Sequence, residues 1–345
     1  MKTPLVSIII VNWNGGEIFR DCLESLARID YKNWELIIVD NGSIDGSQKL
    51  AFKHKLIWNK TNLGFAPAND QGYERASGKY ILLLNNDTRV EPDFLNRLVE
   101  RMERDPSLGV VQPKIFSLRK PGYLDNAGSF PTKIGFFHHW GFMEKDRREF
   151  QKEREIFSSK GACMLIRRDV IEKVGLFDPD FVSYFEETDF CWRVWLSGSR
   201  VLFYPQAKIH HMVGYTIRRM DVANINFHYY KNRITSLIKN LELRNLVIIL
   251  PAHLIVSLGI ASFFLLKFKI INFWMIFSAI AWNILNVRRT LEKRRKVQKF
   301  RKVSDRILFS ALMWPISWGR FISDLRRVEA DIKRKKIFKT QFFQK

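Results

Sequence analysis

Apolar and polar residues are grouped in blocks along roughly the first hundred positions. Four apolar runs have the length and composition of strands buried on both faces of a sheet: residues 5–12, 35–43, 55–59 and 80–85. Three segments between them have helical spacing: residues 18–29, a short helix at 45–53, and a helix at 67–78 closed by Gly78. Single helices between successive strands predict right-handed crossovers and a parallel sheet.

The pattern loosens between about residues 110 and 215, where short strands, loops and two helices are predicted. The first helix is expected to begin at an Asp169 cap and to end at Gly175, and the second to end at Gly198. This part has no repeated strand–helix unit. We therefore expect it to extend the first part, giving one α/β domain over residues 1–240 with halves at 1–110 and 111–240.

The composition changes after about residue 242. Residues 245–266 carry no formal charge and are long enough for a membrane span of roughly 20 residues, whereas the uncharged segment 270–285 is shorter. The alternatives for residues 241–286 are a membrane hairpin and a buried helical hairpin. The basic stretch that follows favours the membrane, because positive residues collect on its cytoplasmic side.

The chain holds 57 Lys and Arg against 35 Asp and Glu, a net charge of +22. Nucleic acid, anionic lipids and phosphorylated substrates all match that sign. The densest basic stretch, residues 287–302, adjoins the apolar segments and has no nucleic-acid-binding motif. We therefore predict membrane lipids as a partner and no nucleic acid, with residues 287–345 as a basic, amphipathic tail whose segment 307–322 suits an interfacial helix.

The cysteines and the amino-terminal segment add two smaller predictions. Cys22, Cys163 and Cys191 lack the paired spacing of a zinc site and are expected to be reduced, buried thiols. The first apolar run ends at Asn12 and not at a small-residue cleavage site. It is therefore predicted to be the first strand and not a signal peptide.

Each predicted strand of the first half ends in a polar residue: Asn12, Asp40, Asn59 and Asn85. Ligands bind at this carboxyl edge in open α/β sheets. Asp40 is suited to accept from a nucleobase N–H or a ribose hydroxyl. The alternative, a capped turn, accounts for Ser43 and Asp45 but not for the charge of Asp40.

Asp87 follows the strand at 80–85 and has the chemistry of a magnesium or manganese ligand. The alternative for Asn86 and Asp87 is an Asx turn that ends the strand. His210 and His211 lie at the end of another short predicted strand. A lone histidine is more often structural, but beside a metal-binding Asp a neutral imidazole is a plausible second ligand.

Three carboxylates, Glu186, Glu187 and Asp189, fall in the first turn of a predicted helix. The helix dipole favours negative charge there. Three carboxylates in four positions also repel one another, which raises at least one pKa as a general base requires.

Seven motifs in order resemble the family 2 glycosyltransferases of the GT-A fold, and most closely the rhamnosyltransferase-like enzymes of bacterial surface polysaccharides. They are VSIIIVNWNGG, ELIIVDNGSIDGS, NLGFAPANDQG, YILLLNNDT, GACMLIRRDVIEKVGLFDPDF, YFEETDFCWR and PQAKIHH, between residues 6 and 211. The resemblance implies an α/β GT-A fold with a mixed, mainly parallel sheet flanked by helices. Residues 1–110 would form the donor half and residues 111–240 the acceptor half, followed by membrane-associated helices.

The resemblance also implies residue roles. Asp40 would hold the nucleobase, and Asp87 would bind the metal with His211, which matches the spacing from Pro205 and Ala207. The other residues implied to contact the nucleotide sugar are Asn12, Asn14, Asn41, Asn62, Asn69, Asn85 and Asn86.

The catalytic base has three candidates. Glu187 occupies the position of the family's catalytic base, which is usually the Asp of a Glu-Asp pair. Because the pair here is Glu186–Glu187, Glu186 is an equal alternative, and Asp189 is a third candidate. Arg193 would face the phosphates or neutralise Asp189, and the second role is favoured.

The resulting prediction is an inverting glycosyltransferase that uses a nucleotide-diphosphate sugar and Mg²⁺ or Mn²⁺. The donor is predicted to be dTDP-rhamnose, with GlcNAc, galactose and galactofuranose donors as alternatives. The acceptor is predicted to be a glycan linked to polyprenyl diphosphate, at the cytoplasmic face of the cell membrane. The rival interpretations are a non-catalytic protein that binds nucleotide sugars and a nucleic-acid-binding protein.

Overall fold

A computed structural model describes residues 3–52, 54–214 and 222–319. The strands are β1 Val6–Asn12, β2 Trp34–Asn41, β3 Lys55–Asn59, β4 Tyr80–Leu84, β5 Thr88–Val90, β6 Leu108–Ser117, β7 Leu124–Asn126, β8 Ser129–Pro131, β9 Phe137–His139, β10 Arg154–Glu155, β11 Cys163–Arg167 and β12 Arg200–His211. The helices are α1 Gly16–Leu26, α2 Phe65–Glu74, α3 Phe94–Arg104, α4 Arg168–Val174, α5 Glu186–Leu196, α6 Val222–Asn240, α7 Leu243–Leu266, α8 Ile270–Leu285, α9 Val287–Phe300 and α10 Asp305–Leu312.

One mixed sheet organises the domain. Its strand order is β10-β12-β6-β11-β4-β1-β2-β3, with β5 beside β12 and β7 beside β6, while β8 and β9 form a separate hairpin. Strand β1 is parallel to β2 and β4, β2 to β3, and β12 to β6, whereas β11 is antiparallel to β4 and β6. The predicted mixed, mainly parallel sheet flanked by helices is confirmed.

Successive residues of the central strands enter different hydrophobic cores. Ile9 and Leu83 belong to one core, and Ile8, Ile10 and Leu82 to the other. All five side chains are fully buried. Because helices cover both faces of the sheet, these strands are continuous apolar runs without alternation. The three cysteines are buried and free, as predicted.

Several predicted helix boundaries are wrong. The short helix at 45–53 is only a 3₁₀ turn, Ser47–Ala51, and α2 begins at Phe65 and ends at Glu74, before Gly78. Gly78 is needed for close packing, because a Cβ there would lie 2.6 Å from the Ser7 backbone nitrogen. Helix α4 ends before Gly175 as predicted, but it begins at Arg168 without a side-chain cap.

The acceptor half contains more regular structure than its sequence pattern indicated. Strand β6 has 10 residues and β12 has 12, where only short strands were expected. Helix α3, which lies near the end of the donor half, had not been predicted and packs beside both of them. A long β12 matters for the site, because its last residue carries a candidate side chain to the carboxyl edge.

Two apolar helices follow the α/β domain. Helix α7 has a mean hydropathy of 2.3 and is long and apolar enough to cross a membrane, while α8 qualifies only together with α9, across a bend of 69°. Only 28% of the most apolar part of α7 is buried. Because large apolar side chains such as Val247, Ile255, Ile271 and Trp274 are more than half exposed, α7 and α8 are not an enclosed core hairpin.

The described part of the basic segment packs against the α/β domain. On α9, Lys293 pairs with Asp178 and Asp180, and Arg294 donates to the carbonyls of Ile238 and Leu241 at the end of α6. These contacts hold α9 against the α/β domain. Residues 320–345, including the end of the predicted interfacial segment, lie outside the described residues, and α10 covers Asp305–Leu312.

Candidate functional site

The carboxyl ends of β1 and β2 are joined through Asn12 and Asp40, which face each other in register. Asn12 Nδ2 donates to Asp40 Oδ2 at 2.8 Å, and to Ser43 Oγ and Ser47 Oγ at 3.1 and 2.9 Å. Asp40 Oδ1 accepts from the Ser43 backbone N–H at 2.9 Å, and its side chain is fully buried. A capped turn therefore does involve Asp40, contrary to the expectation from sequence.

The same network extends to Asn14 and Asn86. Asn86 Nδ2 donates to Asn12 Oδ1 at 2.9 Å, which links β4 to β1. Asn14 has a φ of 51°, and its Oδ1 accepts from the Ile44 N–H at 2.8 Å. A non-glycine residue with positive φ is uncommon and is often found at ligand-binding loops. This hydrogen-bonded network forms one polar surface at the predicted ligand edge, here called the polar floor. Its residues are Asn12, Asn14, Asp40 and Asn86.

The remaining asparagines hold loops and turns in place. Asn41 Nδ2 donates to Asn62 Oδ1 at 2.9 Å and fixes the loop after β3 against β2. Asn69 is buried in α2, where its Nδ2 donates to the Phe65 carbonyl of its own helix. The Asn85 carbonyl accepts from Thr88 Oγ1 at 2.8 Å, which closes the turn before Asp87. Direct contact of these residues with a nucleotide sugar stays a prediction.

Asp87 and His211 are brought together by strand pairing. Strand β5 pairs antiparallel with β12 so that Thr88 faces His211, and His211 Nε2 lies 3.1 Å from Asp87 Oδ1. This Oδ1 atom is buried and has the His211 imidazole as its ion-pair partner. His210 points to the other face of the strand, where its ring stacks on Phe116.

A third residue, Asp125 on β7, holds His211 from behind. His211 Nδ1 donates to Asp125 Oδ2 at 2.8 Å, and Asp125 is fully buried. Burial alone would lower the pKa of His211, but the carboxylates of Asp87 and Asp125 raise it to about 10. A carboxylate behind a histidine is the usual support of a metal-ligating imidazole.

Asp87 and His211 fit a divalent cation by their chemistry. A buried carboxylate oxygen beside an imidazole nitrogen is a suitable pair of protein ligands, with phosphate and water for the other positions. Within the described residues, no cluster of three or more His, Cys, Asp or Glu side chains could hold a metal without such additional ligands.

The two glutamates at the start of α5 differ in environment. Glu186 is 5% exposed and its Oε2 has no hydrogen-bond partner, whereas Glu187 is half-buried. Burial and the neighbouring Glu187 raise the pKa of Glu186 well above its ordinary value. Burial also raises the pKa of Glu187, but the charge of Lys160 opposes this. Burial therefore raises the pKa of both carboxyl groups, and the charge of Lys160 opposes this at both.

The backbone before these glutamates is held in an unfavourable conformation. Tyr184 and Phe185 have φ values of 70° and 74°, which cost about 1–3 kcal/mol each for residues with a side chain. Asn232 on α6 fixes this turn by donating from its Nδ2 to the Ser183 and Tyr184 carbonyls, at 3.0 and 2.6 Å. Such strain concentrates at functional sites and sets the direction of the side chains that follow.

Asp189, the third candidate base, has a structural environment. Its Oδ1 accepts from Ser236 and Asn240, and its Oδ2 from Arg193 and Lys239, at 2.8–2.9 Å. All four lone-pair positions of the carboxylate are thereby occupied. Arg193 also donates to carbonyls at the end of α4, so it neutralises Asp189 and does not face the cleft. The interpretation of Asp189 as a base does not fit this geometry.

Lys160 connects the two groups of acidic residues and was not found from the sequence. Burial opposes its charge, but Asp125, Glu187 and Asp87 together raise its pKa. The next residue, Gly161, lies beside Glu187: a Cβ there would be 3.8 Å from the Glu187 carboxyl carbon. Lys160 and Asp125 stand in segments of the acceptor half without a strong pattern. Lys160 directly precedes a quoted motif, whereas Asp125 lies outside all of them and has no signal in the sequence.

Residues 7–175 match the model of the family described as glycosyl transferase family 2. This region is a glycosyl transferase family 2 domain. The match includes the polar floor, Asp87 and Lys160, and the domain is that of a nucleotide-sugar-dependent glycosyltransferase, as predicted. Glu187 and His211 follow it along the chain.

Among its relatives, the chain is 26% identical over 220 residues to poly-β-1,6-N-acetyl-D-glucosamine synthase of Staphylococcus aureus. The alignment covers 61% of this chain and 51% of the relative, so the chain spans about half of that protein's length. This similarity is to a polysaccharide synthase, and the rhamnosyl specificity stays a prediction.

Solved structures support the GT-A-like fold. GalNAc-T7, solved with UDP, GalNAc and Mn²⁺, has a TM-score of 0.56 at 15% identity, covering 69% of this chain and 48% of its own. S. aureus TarS 1–349 in complex with UDP-GlcNAc has a TM-score of 0.51 at 16% identity, covering 72% of this chain and 71% of its own.

Proposed function

We propose that the protein is an inverting glycosyltransferase whose base is Glu187 and whose donor diphosphate is held at a divalent cation bound by Asp87 and His211. One observation carries the proposal. The half-buried Glu187 carboxylate and the Asp87–His211 pair flank one short segment of the chain. Gly161 lies beside Glu187, and the neighbouring Ala162 carbonyl accepts at 3.0 Å from the Asn85 N–H, where the turn that carries Asp87 begins. A base on one side and a diphosphate-binding pair on the other are the parts that a direct displacement requires.

The chain's own residues have distinct tasks in this mechanism. Glu187 takes the proton of the acceptor hydroxyl as that oxygen attacks the anomeric carbon, while the buried Glu186 precedes it at the start of the same helix. Asp125 holds His211 in the orientation that turns Nε2 toward Asp87. When bound, the cation neutralises the diphosphate of the leaving nucleotide. Lys160 adds a fixed positive charge between the two groups.

The sugar donor is proposed from the sequence relatives. Poly-β-1,6-N-acetyl-D-glucosamine synthase is a polysaccharide-forming enzyme of GlcNAc, and this favours UDP-GlcNAc as the first donor to test. The rhamnosyltransferase-like motifs support dTDP-rhamnose as the second. Galactose and galactofuranose donors have no support beyond the family resemblance.

We also place the enzyme at the cytoplasmic face of the membrane, with an acceptor glycan linked to polyprenyl diphosphate. The support is the exposed apolar surface of α7 and α8 together with a groove of about 570 Å³ at the start of α7. Three exposed cations line this groove, Lys133, Arg244 and Arg306, beside apolar side chains that include Ile248 and Phe309. Cations beside an apolar face match the charge and polarity of anionic lipid head groups.

A donor screen tests the proposal. Purified full-length protein is incubated with Mn²⁺ and with UDP-GlcNAc, dTDP-rhamnose, UDP-galactose or UDP-galactofuranose, and the released nucleoside diphosphate is measured with and without membrane lipid extract. We expect UDP release from UDP-GlcNAc that increases with the extract and disappears in Glu187→Gln. Donor binding without any turnover would instead identify a non-catalytic nucleotide-sugar-binding protein.

A further inference from the structure

Arg233 on α6 is a buried cation without a hydrogen-bond acceptor. Its side chain is fully buried, and its Nε, Nη1 and Nη2 atoms all lack a partner. Almost all buried polar groups in proteins are hydrogen-bonded, and a guanidinium keeps its charge at any physiological pH. The exception therefore indicates an acceptor that belongs to a ligand.

Aromatic rings surround Arg233 but do not replace that acceptor. The guanidinium carbon lies 3.9 Å from the Tyr229 ring centroid, 4.4 Å from Phe136 and 5.6 Å from Phe185. A cation–π contact stabilises the charge through the face of the guanidinium plane. The N–H groups point outward in that plane and need oxygen acceptors. Oxygens of a phosphate match this edge in a bidentate manner.

No carboxylate compensates the charge of Arg233 within the described residues. Burial lowers the pKa of Arg233, and only Tyr229 and Tyr230 act in the opposite direction. Arg193, by contrast, is buried with Asp189 as its partner. An unpaired buried charge is costly, so the fold retains Arg233 at the expense of stability.

The position of Arg233 separates it from the donor end of the site. Its ring contact Phe185 directly precedes Glu186. Its other ring contact, Phe136, lies 4.6 Å from the His253 ring of α7 and belongs to one buried cluster with residues of α7 and α8. The donor residues Asp40 and Asp87 lie at the carboxyl ends of β2 and β4. Arg233 thus lies on the far side of the catalytic glutamates, toward the apolar helices.

Strand β9 lies between these groups. Its Phe137 packs edge-on against Phe185 at 5.2 Å, and Phe185 is also a ring contact of Arg233. His139, on the same strand, is exposed, and desolvation followed by the charges of Lys160 and Arg233 lowers its pKa to about 3. Arg233 and Lys160 therefore act on the same exposed side chain.

We propose that Arg233 binds the diphosphate of a polyprenyl-diphosphate-linked acceptor, with the lipid directed along α7 and α8 and the glycan toward Glu187. This inference rests on the proposed function, because it names where that acceptor's diphosphate is held. Tyr229 and Phe136 form the sides of the anion site, and the tail of the acceptor lies where the apolar surface begins.

The experiment measures binding to full-length protein in detergent, with farnesyl diphosphate as the probe. Farnesol, inorganic diphosphate and UDP with Mn²⁺ are the comparison ligands. In Arg233→Gln we expect farnesyl diphosphate to bind at least about tenfold more weakly, since each hydrogen bond to a charged group is lost, while farnesol and UDP bind as in the wild type. Arg154→Gln is the matched control, because Arg154 also stacks on aromatic rings, Phe130, Trp140 and Trp314, but far from α6.

A second variant and a stability measurement separate binding from folding. Arg233→Lys keeps a positive charge without the planar fork of donors, and we expect an intermediate loss of farnesyl diphosphate affinity. Farnesyl diphosphate is also expected to raise the thermal midpoint of the wild type and not of Arg233→Gln. If Arg233→Gln does not fold, the inference is tested by two other measurements: the affinity of Arg233→Lys for farnesyl diphosphate and the thermal shift of the wild type with that ligand.

Four results overturn the inference: no binding of farnesyl diphosphate to the wild type, equal affinity for inorganic diphosphate, unchanged affinity in both Arg233 variants, or a loss confined to UDP. The last result would assign Arg233 to the donor. Donor turnover by the wild type, measured in parallel, keeps the failure of this inference distinct from a failure of the proposed function.

Discussion

His211 Nε2 lies 3.1 Å from Asp87 Oδ1, and the same imidazole is held from its other nitrogen by Asp125. The three residues come from the end of β12, the turn after β4, and β7, which are far apart in sequence. Their side chains form one line of acid, imidazole and acid. The imidazole is thereby fixed in place before any cation binds.

Asp125→Asn is expected to weaken the binding of Mn²⁺ in the presence of UDP by about 10–100-fold, because the residue behind a metal-ligating histidine sets its orientation and basicity. Titration calorimetry measures this affinity. His210→Ala is the control, since His210 is the neighbouring histidine but stacks on Phe116 outside the site. Unchanged Mn²⁺ affinity in Asp125→Asn would contradict the metal assignment.

Glu187→Gln is expected to lower the rate of transfer by about 10²–10⁴-fold and to leave UDP affinity unchanged, because it removes a general base without changing the shape of the site. Initial rates and UDP titration give the two quantities. Glu186→Gln is the comparison, and it should retain much more activity, since Glu186 is buried whereas Glu187 is half-buried. Wild-type turnover in Glu187→Gln, or the reverse order of the two variants, would disprove the assignment of the base.

The raised pKa of Glu186 predicts a pH-dependent effect on stability. A carboxyl group whose pKa is higher in the folded than in the unfolded state stabilises the fold below about pH 4.5, and this contribution is lost as the pH rises through the folded-state pKa. Glu186→Gln removes this loss of stability at high pH, because glutamine does not titrate. We therefore expect the variant to have a higher thermal midpoint than the wild type at pH 8 and a smaller difference at pH 5. A difference that is equal at both pH values would count against a raised pKa.

Asp189→Asn is expected to destabilise the protein by about 3–5 kcal/mol, because it leaves Arg193 and Lys239 buried without their shared carboxylate. Urea unfolding measures the loss. Glu187→Gln, on the same helix, is the matched control and should change stability much less. A stable Asp189→Asn variant with abolished turnover would restore Asp189 as a candidate base.

The groove cations predict the strength of membrane binding. Replacing Lys133, Arg244 and Arg306 with Gln removes about 1 kcal/mol per charge of attraction to anionic lipid, so binding to vesicles with anionic lipid should fall by about 100-fold. Vesicle flotation with neutral and anionic lipids measures this effect. The control replaces three exposed cations far from α7 in the sequence, Arg28, Lys32 and Lys120, and should bind as the wild type. Equal binding by both triple variants would show that the groove does not face the membrane.

The sequence was sufficient to predict those features of the fold that depend on the local pattern of apolar and polar residues. Buried strands with both faces covered must be continuous apolar runs, and parallel strands place their carboxyl ends at one edge. Asn12, Asp40 and Asp87 could therefore be assigned to one edge before the fold was known. The same reasoning gave the sheet class and the change in composition after residue 242.

Helix boundaries were less predictable, because tertiary contacts override local propensity. Gly78 marks a close approach to β1 and not the end of α2, and Asp45 accepts from the Gly16 N–H instead of capping a helix of its own. Neither contact has a signal within the segment where the residue stands.

Only the tertiary structure distinguished the three carboxylates of α5 and the roles of the basic residues. Glu187 and Asp189 lie two positions apart, so they point to different sides of a helix, and the packing of α6 turned Asp189 into an ion-pair partner while Glu187 remained at the cleft. The sequence by itself determined that the chain carries excess positive charge and ends its strands in polar residues. Contacts between distant segments decide which charges have a partner within the protein, and no local pattern encodes these contacts. Lys293 has such a partner, whereas Arg233 has none among the described residues.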